Sequence, residues 1–294
     1  MKLTLLGTGN TSMLPVYGCD CQACQRAMTN SQYRRQKTSA LIECNGKKLL
    51  LDANCDELLQ RFPSGSIDRI LLTHYHMDHV HGLFDLRWGV GESIPVNGPP
   101  DEQGCDDLFK HSGLLDFQPP LAAFEAFKWQ GITITPLPMQ HSKICFGYYF
   151  SYQDLDTEST KHLAYLTDTV GLPKETQAWL EKNCVDVLLI DCNHSPEFNH
   201  PNRNHNNLTD VVEIVTGIKP KLTRLIHISH QLECWAMQNP GYFSSELCLG
   251  KDGEQFSFLS ELSLATGKDK TSSLHCLKNR GSLGCFIIQS NHRA

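Results

Sequence analysis

Several features of common protein classes are missing from this 294-residue sequence. No apolar stretch approaches the roughly 20 residues that a membrane-spanning helix needs. The N-terminus, MKLTLLGTGN, lacks the longer apolar segment and the small-residue cleavage site of a secretory signal. We therefore expect a cytoplasmic protein that has no membrane partner.

Positive charge is also scarce. The chain has 26 Lys and Arg against 32 Asp and Glu, a net charge of −6, and no basic block beyond Arg34-Arg35 with Lys37. A basic patch is the usual footprint of nucleic-acid binding, so we expect no nucleic-acid partner. A small acidic substrate is compatible with this charge, because bound metal ions can make a pocket locally positive.

One motif of serine nucleophiles and two nucleotide-binding motifs are absent. The sequence contains no Gly-x-Ser-x-Gly, which disfavours a serine nucleophile. The segment Gly7-Thr8-Gly9 lacks both the third glycine of a dinucleotide-binding loop and the Gly-Lys-Ser/Thr of a P-loop. We interpret this segment as a tight turn after the first strand.

What the sequence does contain is a series of short apolar runs bounded by Gly, Pro, Asn or Asp, which predict strands. These strands are Lys2–Leu6, Ala40–Cys44, Lys48–Asp52, Ile70–Thr73, Ile132–Leu137, Gly147–Tyr152, His162–Thr167, Val185–Asp191 and Leu222–Ile228. Helical patterns cover Cys55–Phe62, Asp106–His111, Lys174–Asn183 and Leu208–Gly217, the last capped by Asn206-Asn207. The pattern predicts one α/β (or α+β) layered domain, with two sheets inside and helices outside.

The domain is expected to span residues 1–257 and to include a Cys-rich zinc-binding loop at about 15–30. Residues 258–294 are rich in Ser, Lys and Gly and predict a divergent extension, in which Cys285–Ile288 could add an edge strand.

Side chains that can bind metals follow the predicted strands at their C-terminal ends, where open α/β sheets collect ligand sites. They are Asp52, His74, His141, Asp168, Asp191, His227 and His230. We therefore expect these residues to gather at one site.

The segment THYHMDH, residues 73–79, places three imidazoles and a carboxylate directly after a strand. In an extended segment His74 and His76 share a face and can bind one cation, whereas Asp78 and His79 lie past the turn and suit a second one. Nitrogen and oxygen donors without a thiolate favour Zn²⁺, Mn²⁺ or Fe²⁺. The alternative is that these histidines cluster by chance or satisfy a buried turn.

Completing two metal spheres needs donors from later strand ends. The candidates are His141, Asp168 and His227, with Asp168 bridging through both of its oxygens. Two cations about 3.5–4 Å apart lower the pKa of a shared water and polarise a phosphoryl or carbonyl oxygen, so the predicted chemistry is hydrolysis. Asp52 or Asp191 would orient the imidazoles.

A second metal-binding pattern lies near the N-terminus. Cys19, Cys21 and Cys24 form a C-x-C-x-x-C motif, and three thiolates need a fourth ligand for a tetrahedral Zn²⁺ site, for which we choose His230. Loop thiols or a redox C-x-x-C are the alternatives. The thirteen cysteines, an odd number, indicate a reducing compartment rather than a disulfide framework.

The polar loop HPNRNHNNL holds a candidate proton donor, His205, for which His194 and His200 compete. A solvated surface loop is the alternative. Arg34 and Arg35 could contact a terminal phosphate, although exposed arginines are more often solvated.

These motifs together resemble the metallo-β-lactamase superfamily. Within it, the stretches GCDCQAC, LLTHYHMDHVHGLFDLRWGVG, LTDTVGLP, RNHNNL and HISHQ are similar to the PhnP family of phosphoribosyl 1,2-cyclic phosphate phosphodiesterases, from about Leu3 to about Trp235. The chain diverges from that family beyond Trp235 and at Asn206-Asn207.

The resemblance implies an αββα sandwich of two mixed sheets, usually a homodimer, that opens the cyclic phosphate of a phosphorylated sugar to ribose 1,5-bisphosphate during phosphonate use. It assigns one metal to His74, His76 and His141, the other to Asp78, His79 and His227, and the bridge to Asp168. It implies two catalytic Mn²⁺ ions, with Zn²⁺ possible, and a structural Zn²⁺ held by Cys19, Cys21, Cys24 and His230. Asp78 and Asp168 would serve catalysis together with His205, which would act on the leaving group or contact the phosphate.

Three other functions share these ligands. An RNA 3′-processing endonuclease would need a basic RNA-clamping arm, which the sequence lacks. Thioester or lactam hydrolysis would place a carbonyl carbon where the phosphorus lies. A non-catalytic scaffold would use the metals only to hold strands together.

Overall fold

Two seven-stranded sheets form the centre of the protein. The computed structural model describes residues 1–154 and 158–258, so the predicted extension lies outside the described residues apart from Phe258, and so does the candidate strand Cys285–Ile288. The strands are β1 (Lys2–Gly7), β2 (Ser39–Cys44), β3 (Lys47–Leu51), β4 (Arg69–Leu71), β5 (Ile94–Asn97), β6 (Leu115–Phe117), β7 (Phe127–Trp129), β8 (Ile132–Pro138), β9 (Phe146–Asp154), β10 (Ser159–Leu166), β11 (Val187–Asp191), β12 (Leu222–Ile226), β13 (Leu247–Leu249) and β14 (Gln255–Ser257). The sheet orders are β14-β1-β2-β3-β4-β5-β6 and β13-β12-β11-β10-β9-β8-β7.

Both sheets are mixed in the same way. In the first, the pairings from β14 to β3 are antiparallel and those from β3 to β6 are parallel. In the second, the pairings from β7 to β10 are antiparallel and those from β10 to β13 are parallel. Strands β8, β10, β11 and β12 therefore run in the same direction, so their carboxyl ends lie at one edge of the second sheet.

Helices flank the two sheets. They are α1 (Gln22–Thr29), α2 (Leu58–Arg61), α3 (Met77–Leu86), α4 (Asp106–Lys110), α5 (Lys174–Lys182), α6 (Leu208–Ile218) and α7 (His230–Gln238). Helix α1 packs on α7. The core between the sheets joins residues of both, such as Leu5 and Ile42 with Phe150 and Tyr165. A second apolar cluster packs α3 on the first sheet, and a third packs α5 and α6 on the second. The predicted αββα sandwich is thereby confirmed.

The predicted strands match the observed ones to within three residues at their ends. Among the predicted helices, α4, α5 and α6 agree to within one residue, whereas α2 is shorter than expected. Asn207 alone is the N-cap of α6, and it forms a reciprocal capping box with Asp210. Helices α1, α3 and α7 were not predicted, because each begins inside a run of Cys or His that we interpreted as ligands. No helix within residues 1–154 and 158–258 is long and apolar enough to cross a membrane.

Candidate metal centre and active site

The predicted ligands of both sheets meet in the structure at the carboxyl ends of the strands. His74 lies just after β4, His141 after β8, Asp168 after β10, and His227 directly after β12. His76 is the N-cap of α3, and its successors Asp78 and His79 occupy the first turn. The segment THYHMDH therefore runs from the end of β4 into the first turn of α3. This change of direction lets its side chains contribute to two neighbouring metal-binding positions.

The first donor set consists of three imidazoles. His76 Nδ1 lies 2.9 Å from His74 Nε2 and 3.0 Å from His141 Nε2. Neighbouring nitrogens at metal–nitrogen distances of about 2.0–2.1 Å are separated by about 3 Å, so this spacing fits one cation. Burial, together with His79, holds the pKa of His74 well below its ordinary value, so its ring is neutral and able to act as a ligand.

The second donor set combines Asp78, His79 and His227. Asp78 Oδ2 lies 3.6 Å from His79 Nε2 and 3.7 Å from His227 Nε2. Among the described side chains, His227 has both ring nitrogens buried without a hydrogen-bond partner. A buried polar nitrogen without a hydrogen-bond partner is costly, and a cation bound to Nε2 would remove that cost at one of the two nitrogens.

Asp168 belongs to both donor sets through a single oxygen atom. Its Oδ2 lies 3.4 Å from Nε2 of His79 and of His227, 3.7 Å from His74 Nε2 and 3.8 Å from His141 Nε2. Its Oδ1 accepts a hydrogen bond of 2.5 Å from Thr167 Oγ1. The sequence led us to expect a bridge through both oxygens, whereas the structure directs one oxygen at four of the five imidazoles of the two sets. An oxygen placed between the two donor sets in this way fits a dinuclear metal centre.

Two buried carboxylates orient histidines of the site. Asp52 Oδ2 lies 2.7 Å from His79 Nδ1, and Asp52 Oδ1 accepts from the backbone N–H of Thr73. Asp191 Oδ2 lies 2.8 Å from His205 Nδ1. Asp52 and His227 also leave their strands with φ of 59° and 58°, a region that costs energy for residues other than Gly and recurs at functional sites.

His205 is the loop histidine that reaches the donor sets. Its ring stacks on that of His227 at 4.3 Å and lies 5.4 Å from that of His141. Burial disfavours its charged form, but the Asp191 carboxylate outweighs burial and raises the pKa of His205 to about 9. Its competitors are placed differently, because His194 stacks on Phe198 at 4.1 Å and His200 is exposed.

The Cys-rich loop forms a separate donor set with α7. His230 Nδ1 lies 3.3 Å from Cys19 Sγ, 3.4 Å from Cys21 Sγ and 3.8 Å from Cys24 Sγ. Zn–S near 2.3 Å and Zn–N near 2.0–2.1 Å in a tetrahedral site separate sulfur from nitrogen by about 3.6 Å. The predicted ligands are thus brought together at distances that fit Zn²⁺.

Two contacts of the site were not predicted from the sequence. Thr11 Oγ1 donates to Asp78 Oδ2 at 2.6 Å, and the backbone carbonyl of Asn204 lies 3.2 Å from His141 Nδ1. The predicted tight turn at Gly7-Thr8-Gly9 is wrong, because Gly7 ends β1 and Gly9 forms β-bridges with Lys37 and Ile228, and the chain turns only at residues 10–13. The two glycines were the available signal, since a Cβ on Gly7 would lie 2.0 Å from a backbone oxygen, and their lack of side chains lets the segment before Thr11 lie close to the neighbouring backbone.

Arg35 does not serve as an exposed phosphate ligand. It is buried, and its guanidinium donates to the Glu233 carboxylate and to the Gly250 carbonyl. Arg34 donates to the carbonyl of Ala27. The idea that Arg35 contacts a terminal phosphate is therefore wrong, because its charge is already neutralised inside the protein.

Comparison with known proteins agrees with this geometry. Residues 47–228, more than half of the chain, match the model of the β-lactamase superfamily domain. A solved structure described as a new diphosphatase from the PhnP family shares 28% identity with a TM-score of 0.71, covering 87% of this chain and 97% of that one. Zinc-bound PqqB from Methylobacterium extorquens shares 18% identity with a TM-score of 0.70, covering 88% of this chain and 100% of that one, and shows a common fold.

Among curated proteins, an octanoyltransferase of Porphyromonas gingivalis is 28% identical over 258 residues, which is 78% of this chain and 46% of that protein. Ribonuclease Z of Clostridium acetobutylicum is 30% identical over 139 residues, 39% of this chain and 43% of that protein. The chain thus spans about half the length of the curated relatives it matches. The family match covering both donor sets and the two-sheet architecture lead to one conclusion: the chain belongs to the β-lactamase superfamily, has the metallo-β-lactamase fold and is similar to the PhnP family.

Proposed function

We propose that this protein is a metal-dependent phosphodiesterase whose substrate is a small phosphorylated sugar, 5-phosphoribosyl 1,2-cyclic phosphate, which it opens to ribose 1,5-bisphosphate. The observation that carries the proposal is the single Asp168 oxygen shared by two donor sets, with His205 beside them. Two adjacent cations suit in-line displacement at phosphorus, because they stabilise both the attacking and the leaving oxygen.

The cations, when bound, would activate water and neutralise charge on the phosphoryl oxygens. The chain's own residues have three tasks. Asp168 Oδ2 holds the two donor sets next to each other, and Asp52 fixes the ring of His79. Thr11 fixes the carboxylate of Asp78. The ligands are therefore positioned before the substrate binds, which is how a site contributes without reorganising during the reaction.

His205 would serve the leaving group. Its Nδ1 is engaged by Asp191, so Nε2 is the atom that carries a transferable proton. A pKa raised to about 9 by Asp191 keeps that proton on the ring at neutral pH. An alkoxide leaving from a sugar needs a proton, so a charged imidazole next to the donor sets matches ring opening of a cyclic phosphate.

Diphosphate hydrolysis is the second candidate, because the solved PhnP-family relative is described as a diphosphatase. Cleavage of a phosphoanhydride makes the same demands on the two donor sets.

RNA processing has the support of the ribonuclease Z similarity, but the net charge of −6 opposes it. Neither the octanoyltransferase nor the ribonuclease Z similarity assigns a function by itself, since the chain matches 46% and 43% of those proteins.

The test is a substrate panel for the Mn²⁺- or Zn²⁺-reconstituted protein. The panel contains phosphoribosyl 1,2-cyclic phosphate, a 2′,3′-cyclic nucleotide, a sugar diphosphate and a tRNA precursor with a 3′ trailer. We expect the highest kcat/KM for the phosphoribosyl cyclic phosphate. Preferred cleavage of the tRNA precursor, or a folded metal-loaded protein inert toward the whole panel, would overturn the proposal.

Replacing Asp168 tests the shared oxygen directly. Asp168→Ala removes the atom that both donor sets have in common, so turnover of every active substrate should fall to background and the catalytic metal content should drop. The zinc of the Cys19–His230 site should stay bound. A variant that keeps full turnover and full metal content would contradict the dinuclear centre.

A further inference from the structure

A fifth potential donor lies beside the Cys-rich metal site. Cys234 is on α7, one turn after His230, and packs with Cys19 and Cys21 against the small cluster formed with α1. His230 and Cys234, four residues apart on α7, share one face of the helix, and His230 Nδ1 lies 3.4 Å from the Cys21 sulfur, which brings the Cys234 thiol close to that sulfur. The side chain is therefore held next to a ligand sulfur.

Cys234 is not needed to complete the metal site. The donor atoms of Cys19, Cys21, Cys24 and His230 all lie within 4.8 Å of one another, and four donors fill a tetrahedral Zn²⁺ sphere. Cys21 and Cys234 are both partly exposed, so a small oxidant can reach them. A thiol that is not a ligand but lies beside a ligand thiolate is the arrangement of a resolving cysteine.

We propose that Cys21 and Cys234 form a reversible disulfide that releases the structural zinc when the protein meets hydrogen peroxide. Peroxide transfers an oxygen to the Cys21 sulfur, forming a sulfenic acid. The Cys234 sulfur then attacks the Cys21 sulfur, the S–S bond forms, and the hydroxyl leaves as water. In sum, two thiols and one peroxide become one disulfide and two waters, with two electrons passing to the peroxide.

Loss of the Cys21 thiolate leaves three donors for the zinc. The affected loop also reaches the catalytic end of the molecule, because Asn10 donates to the Ile228 carbonyl and Thr11 donates to Asp78. The modification therefore acts on a segment that joins the two metal sites. The proposed disulfide is independent of the substrate, and its test needs no enzyme assay.

The experiment treats the full-length, zinc-loaded protein with hydrogen peroxide and follows zinc release with a chromogenic chelator, with an untreated sample as reference. We expect loss of one zinc per chain and a tryptic peptide pair joined through Cys21 and Cys234. Dithiothreitol with added Zn²⁺ should restore the starting state. Release without a disulfide, or with a disulfide joining other cysteines, would overturn the proposal.

The variant Cys234→Ala removes the resolving thiol while keeping all four ligands. It should bind zinc fully before oxidation and release it at least about tenfold more slowly than wild type under peroxide. Cys184→Ala, at an exposed cysteine, is the matched control and should behave as wild type. A Cys234→Ala protein that releases zinc at the wild-type rate, or that lacks zinc from the start, would contradict the assignment.

Discussion

Individual side chains decide how tightly the catalytic ligands are held. Asp52 is buried, and it contacts the ring nitrogen of His79 that faces away from the donor set. Its carboxylate also accepts from the backbone of Thr73, so the acid is anchored at the strand end. A carboxylate behind a ligating histidine fixes the ring orientation and increases its basicity as a ligand.

Asp52→Asn is expected to lower the affinity for the catalytic metals about 10- to 100-fold. The amide keeps the size of the side chain but cannot support the imidazole as a carboxylate does. Metal titration followed by calorimetry measures the change. Asp116→Asn, at an exposed acid on β6, is the control and should bind as wild type; an unchanged affinity in Asp52→Asn would contradict this role.

His205→Ala should reduce turnover of the cyclic sugar phosphate about 10²- to 10⁴-fold, the usual contribution of a general acid. The loss should be much smaller with bis(p-nitrophenyl) phosphate, because p-nitrophenolate leaves without a proton. The comparison of kcat for the two substrates, at equal metal content, measures the effect. Equal losses on both substrates would show that His205 acts in some other way.

At the scale of elements, α3 carries two ligands and must dock closely on the first sheet. Its Gly82 donates a backbone hydrogen bond of 2.8 Å to the carbonyl of Ala53, just after Asp52. A Cβ at this glycine would lie 2.5 Å from that oxygen. The absence of a side chain at Gly82 therefore sets the approach of α3, and with it the positions of Asp78 and His79.

Gly82→Ala tests this approach. Helix propensity alone would favour Ala by about 1 kcal/mol, but the clash is with backbone, and overpacking costs about 1–3 kcal/mol. We expect net destabilisation in urea unfolding, together with weaker catalytic metal binding. Gly217→Ala in α6 is the matched control, because its Cβ would meet only the flexible ends of Gln177 and Glu181. A Gly82→Ala protein that gains as much stability as Gly217→Ala would refute the close approach.

At the scale of the whole molecule, a buried ion-pair network joins distant parts of the chain. Glu233 on α7 accepts from Arg26 of α1 and from Arg35, and Arg35 also donates to Thr8 and to the Gly250 carbonyl. Arg35 and Glu233 are each 7% exposed. The network thus connects the helix pair at the Cys-rich site with Thr8, directly after β1, and with the segment leading to β14.

Glu233→Gln should destabilise the protein by about 3–5 kcal/mol, because removing one partner leaves the Arg35 charge buried without compensation. Urea denaturation of the zinc-loaded protein provides the measurement. Glu213→Gln, at an exposed position of α6, serves as the control with little expected change. A loss of less than about 1 kcal/mol would place this pair with ordinary surface ion pairs.

Much of the layered fold was predictable from local patterns. The runs that became β3, β4, β10, β11 and β12 show their apolar character within a few residues, and the ligand types follow them directly. Helices α1, α3 and α7 were not predicted, since their first residues are metal-binding side chains whose helical conformation depends on contacts with the rest of the protein. The identities of the donors were therefore predictable, whereas the shapes of the segments that present them were not.

The sequence by itself determined which donors exist, their order after the strands and the division into a thiolate set and an imidazole–carboxylate set, because these depend on residue type and short spacing. Only the tertiary structure decided that Asp168 uses one oxygen, that His205 pairs with Asp191, and that Arg35 is buried. Each of these features depends on contacts between residues that belong to different segments of the chain. Such contacts follow from how the two sheets stack, and no local pattern specifies that stacking.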